Sequence, residues 1–97
     1  MAEKKLEVRV TGAQLRAARG LMGVSAQELA DQTGVSLRTI RRAEAADGHV
    51  EITQANAIQL VTALEGRGVI FLQANGEGVG VRLKREPEAS KKGRRKP

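Results

Sequence analysis

Polar and apolar positions change their period along this 97-residue chain, and each change predicts an element. From Lys5 to Val10 they alternate, with Leu6, Val8 and Val10 on one side and Glu7 and Arg9 on the other. This is the pattern of a half-buried strand or, without a partner, of a terminal arm over residues 1–10. Helical spacing follows. Thr11 and Gln14 form a capping box ahead of Leu15, Ala18 and Met22, and Gly20 and Gly23 stop this helix near Leu21. Ser25 and Glu28 form a second box before Leu29 and Ala30, and Gly34 closes that short helix. Ser36 caps a third helix, Leu37 to about Ala46, with Gly48 just past its end. Thr53 caps a fourth, to about Glu65, with Ala57, Ile58, Val61 and Leu64 as its apolar stripe.

After Gly66–Gly68 the period becomes that of strands. Val69-Ile70-Phe71-Leu72 is β-branched and aromatic, Asn75-Gly76 is a turn signal, and Val79, Val81 and Leu83 alternate, which predicts a hairpin over residues 67–85. A two-residue turn sets Leu72 opposite Val79 and Ile70 opposite Val81. A four-residue loop sets Leu72 opposite Val81 and Ile70 opposite Leu83. In both, Phe71 faces the other side. Glu86-Pro87 ends the hairpin, and residues 86–97 read as a disordered basic tail. The expected fold is therefore mainly α: a four-helix unit over residues 11–66 followed by a β-hairpin, which a short N-terminal strand could join.

Composition narrows the chemistry. There is no cysteine, so disulfides, thiolate metal sites and cysteine nucleophiles are excluded, and the single histidine, His49, cannot build a metal site or relay. His49 lies beside Asp47 and Glu51 without a nucleophile in plausible reach, so we expect no enzyme and no cofactor. The longest apolar run, Val69 to Leu72, is too short to span a bilayer, and the N-terminus lacks a signal-like stretch, so the expected location is the cytoplasm or its nucleoid. The net charge of +6 is uneven. Lys84 to Pro97 has seven Lys/Arg against Glu86 and Glu88, or +5, while residues 1–83 have ten against nine, or +1. Attraction to an anionic partner must then come from local clustering. The tail's Lys91, Lys92, Arg94, Arg95 and Lys96 fit a nonspecific phosphate binder or a solubilising terminus equally well.

The third helix supplies such a cluster. With Leu37 at zero, Arg41, Arg38 and Arg42 fall at roughly 40°, 100° and 140°, and Ile40 and Ala43 at roughly 300° and 240°. One face is cationic and the other can pack. Two short helices joined at Gly34, the second carrying arginines outward, form a helix-turn-helix arrangement that fits a DNA groove.

Ser25 to Gly48 resembles the phage-repressor-like helix-turn-helix family, often called the XRE family. Leu15, Arg19, Gln27-Glu28-Leu29-Ala30, Gly34-Val35-Ser36, Thr39-Ile40 and Glu44 carry the resemblance, which spans about Thr11 to Leu64. It implies a lambda-repressor-like helical domain whose third helix lies in the major groove, usually as a dimer on an inverted repeat. It also implies that Arg19 pairs with Glu44, near a phosphate. The chain departs from the family at Ala26, where glutamine or lysine often makes a phosphate contact, and in turning to strands after the fourth helix.

The expected DNA-binding residues are Ser25, Ser36, Leu37, Arg38, Thr39, Arg41, Arg42 and Arg19. Arg38 and Arg42 lie about one turn apart and suit neighbouring bases, since arginine pairs with guanine through two hydrogen bonds. Leu37 suits a thymine methyl. A solvated helix face is the plain alternative for these arginines. The hairpin residues Val69, Ile70, Phe71, Leu72, Val79 and Val81 are expected to serve homodimerisation, although they could instead close the chain's own core. Two functions follow from these residues: a homodimeric, sequence-specific regulator bound to double-stranded DNA, or a protein-interaction module, such as an antitoxin or anti-activator, using the hairpin.

Overall fold

The computed structural model describes residues 8–74 and 76–84. The expectations for Leu6, for Asn75 and for the basic tail concern residues outside these ranges. Four helices, α1 (Gly12–Met22), α2 (Ala26–Thr33), α3 (Leu37–Ala45) and α4 (Gln54–Gly66), precede the antiparallel strands β1 (Val69–Leu72) and β2 (Gly80–Leu83).

Side-chain caps set the helix starts. Thr11 and Gln14 close one reciprocal capping box, and Ser25 and Glu28 another. Ser36 and Thr53 accept the N–H groups of Thr39 and Asn56. Gly23 and Gly34 end α1 and α2 in the left-handed region, where a side chain would be strained. α1 runs one residue past the expected Leu21, to Met22. α3 ends at Ala45 with Ala46 as an extended C-cap, so Gly48 is not its cap.

Leu15, Leu29, Ile40, Leu60 and Leu64, one or two from each helix, are fully buried at the centre. Val10, Val24, Val35 and Val69 join them from the connections and from β1. At about 1.5–3 kcal/mol for each large apolar side chain, this cluster drives assembly. α1 packs on α3, and α2 on α3 and α4, while the hairpin lies against α1 and α4. The stripe expected on α4 is off by one member. Leu60 is fully buried, whereas Ile58 is 37% exposed.

The hairpin pairs Val69 with Leu83, Ile70 with Arg82, Phe71 with Val81 and Leu72 with Gly80. Neither expected register is correct. Every residue of β1 is apolar, so its pattern does not say which parity faces inward, and a slip of one residue exchanges the faces. Val69 decides it: at 2% exposure it is anchored in the core, and Phe71 and Val81 pack behind it. Ile70, Leu72, Gly80 and Arg82 therefore share the other face.

The described residues before α1 pair mainly with the segment between α3 and α4 and with α4, and the Gln73 side chain reaches them from the hairpin by donating to Arg9 O at 3.4 Å. Val50 N–H donates to the Val10 carbonyl at 3.0 Å, and Thr11 forms an isolated bridge with His49. The Gln54 side chain accepts from Val8 N–H at 2.8 Å and donates to Val8 O at 2.9 Å, as a neighbouring strand would. Among the described residues the sheet has two strands only.

Candidate nucleic-acid interface

α3 divides into two faces. Ile40, Ala43 and Glu44 are buried, Arg38, Arg41 and Arg42 are exposed, and Leu37 and Thr39 are half-buried at the boundary. At the start of the helix, Ser36 Oγ accepts Thr39 N–H at 3.0 Å and donates to Thr39 Oγ1 at 2.9 Å, so the two hydroxyls sit together at the exposed end. Thr39 and Arg42 line a shallow concavity with Glu51, Ile52, Thr53 and Asn56, which continues the surface onto the N-terminus of α4.

α2 presents its own exposed N-terminus. Ser25 Oγ accepts Glu28 N–H at 2.9 Å, and the Glu28 carboxylate accepts Ser25 N–H at 2.8 Å. That backbone hydrogen bond, helped by the Ser25 hydroxyl, lowers the Glu28 pKa below its ordinary 4.5. Ala26 packs against the core, and the exposed Gln27 bonds Asp31 at 2.9 Å.

Glu44 faces inward and is held from α1. Arg19 donates from Nε to Glu44 Oε2 at 2.7 Å and from Nη2 to Oε1 at 2.8 Å, while its Nη1 reaches Val24 O at 2.9 Å. The hydrogen bond to Glu44 raises the Arg19 pKa above its already high ordinary value. Among the described residues this is the sole ion pair, so Arg38, Arg41 and Arg42 have no carboxylate partner there. Their charge faces outward, as holding a phosphate or guanine requires, with Glu51 sharing the concavity beside Arg42.

The structure thus brings Ser36, Leu37, Arg38, Thr39, Arg41 and Arg42 onto one helix and its cap, with Ser25 at the start of the neighbouring helix. Arg19 is turned toward Glu44. The residues expected to dimerise are divided: Val69, Phe71 and Val81 face inward because they complete the core, while Ile70 and Leu72 lie on the outer face and Val79 is 40% exposed. His49 is an exposed residue whose backbone pairs with Thr11.

Two supporting residues escape pattern reading. Arg16 donates to the Glu44 carbonyl and so satisfies the C-terminal end of α3. Gly12, whose N–H donates to Gly48 O at 3.1 Å, leaves no room for a side chain: a Cβ there would lie 2.6 Å from Ala46 O, 2.7 Å from Ala43 O and 2.8 Å from Glu44 O. Their only signal in the sequence is spacing, since Gly12, Arg16 and Arg19 form one helical stripe.

Against known proteins, the family model described as Helix-turn-helix matches residues 15–68, more than half of the chain. No curated protein matches it. Among the described residues no helix is long and apolar enough to cross a membrane.

Proposed function

Because this chain belongs to the phage-repressor-like helix-turn-helix family of DNA-binding regulators, we propose that it is a transcriptional regulator that reads double-stranded DNA by sequence. In this reading α3 enters the major groove. Arg38 and Arg42 contact base edges, Leu37 meets a thymine methyl, and Arg41, Thr39 and the caps Ser25 and Ser36 hold phosphates. The observation that carries it is the exposed trio of arginines on α3, without carboxylate partners among the described residues, opposite a face closed by Ile40, Ala43 and Glu44.

A lone domain of this size contacts too few base pairs to be selective, which supports a homodimer on an inverted repeat. Ile70, Leu72 and Val79 are the hairpin residues left to meet a second copy.

Selection of bound fragments from a random DNA pool tests the whole reading. The expected outcome is a short palindromic consensus. Enrichment of an asymmetric site would remove the symmetric dimer and leave sequence reading intact, and no enrichment at all would overturn both.

A further inference from the structure

Gln14 is 2% exposed, and with Glu44 it is one of two buried polar residues among those described. Its side chain is fully committed. Oε1 accepts Thr11 N–H at 2.9 Å, completing the cap of α1. Nε2 donates to the Leu72 and Gly80 carbonyls, each at 3.0 Å. Those two carbonyls belong to partners in the pair that ends the ladder, one on each strand. The position needs an acceptor and a two-proton donor on one short arm. Glutamate lacks the donor, lysine and arginine lack the acceptor, and asparagine is a methylene short.

The opposite side of α1 is held to α3. Gly12, Arg16 and Arg19 form that stripe, and Gln14 lies roughly 200° around the helix from Gly12. Arg16 and Arg19 grip the carbonyl and carboxylate of Glu44. Gly12 sits so close to the last carbonyls of α3 that the contact has no slack. A helix fixed on both sides passes on a displacement instead of absorbing it, since packed interiors are not continuously deformable.

We propose that Gln14 is a positioning residue for DNA binding: by locking α1 to both strands of the hairpin, it makes the pose of α3 depend on the hairpin. This rests on the DNA-reading function above. It also gives the hairpin a role beyond covering the core, because whatever seats on Ile70 and Leu72 then acts on the arginine face.

The test compares the full chain with Gln14→Glu, which keeps the acceptor and loses the donor, and Gln14→Met, which loses both, at a temperature where circular dichroism shows each folded. We expect affinity for the selected DNA to fall roughly tenfold, within the usual range for coupled sites, with affinity for random DNA unchanged. Without DNA, the amide resonances of Arg38 to Arg42 shift. Folded variants with wild-type selectivity and unmoved α3 resonances overturn the proposal. If the wild-type chain selects no DNA, the function fails while the resonances still decide the coupling. Should both variants unfold, Gly78→Ala strains the hairpin loop at a φ of +90°, outside α1. Hairpin resonances that move together with those of α3 support the coupling, and movement confined to the hairpin overturns it.

Discussion

Arg19 grips both carboxylate oxygens of Glu44, at 2.7 and 2.8 Å, and so fastens the first helix to the inward face of the arginine-bearing one. Glu44 is the more enclosed partner, its side chain 9% exposed against 23% for Arg19. Arg19→Ala therefore leaves a carboxylate with few alternatives and is expected to cost about 1.5–3 kcal/mol in denaturant unfolding, less where water reaches the site. Joint replacement, Arg19→Met with Glu44→Leu, is expected to recover much of the loss, because no charge then stays buried alone. A double-mutant cycle with no coupling between the two positions would show that the pair contributes nothing.

Two glycines of α1 should respond in opposite ways to the same change. Gly20 has open space around its missing side chain, so Gly20→Ala is expected to stabilise by up to about 1 kcal/mol. Gly12→Ala drives a methyl into three carbonyl oxygens and is expected to cost about 1–3 kcal/mol. Thermal unfolding of both variants measures the difference, and equal shifts would mean that the close approach at Gly12 relaxes freely.

On α4, Leu60→Ala is expected to lose about 2–5 kcal/mol, and Ile58→Ala to stay within about 0.5 kcal/mol of wild type. The reverse order would place the wrong residue in the core.

Acid should weaken the second helix through Glu28. Its folded-state pKa lies below the ordinary 4.5, so its contribution is fully present above that pH and is lost as pH falls through the lower folded value. Glu28→Gln, which cannot ionise, is expected to flatten the pH dependence of stability in that acid window and to lower stability slightly at neutral pH, where the charged form contributes. Arg19 adds no slope at ordinary pH, since its pKa is raised from a value already far above it.

Arg38→Ala and Arg42→Ala are each expected to cost about 1–3 kcal/mol on the selected site and to relax preference at one base pair per half-site. Arg41→Ala should instead lower affinity for all sequences and reduce the salt slope by about 0.9 for the phosphate it releases. Equal losses on selected and random DNA for all three would reduce the face to an electrostatic anchor.

The helices were legible because their starts are written locally. A hydroxyl three residues before its partner amide, as at Ser25 and Ser36, specifies a cap without reference to the rest of the chain. The two faces of α3 were legible for the same reason, since periodicity alone separates Arg38 from Ile40. The hairpin register was not, because β1 is apolar on both parities and only the distant packing of Val69 chooses between them. Ile58 and Leu60 are similarly ambiguous on a helix with little charge. The side-chain links from Gln14 to Leu72 and from Arg16 to Glu44 join positions far apart in sequence, and no local pattern encodes them.

The grip on α3 comes from behind and from its ends: Leu37, Ile40, Ala43, the Glu44 carboxylate, and carbonyls that meet Gly12 and Arg16. None of the three outward arginines takes part in it. On the proposed function, the arginines that read DNA are therefore separate from the residues that hold the same nine-residue helix in place. Positions 38 and 42 are then the replaceable readers, and a library varied there should keep one fold while its members sort onto different DNA sequences.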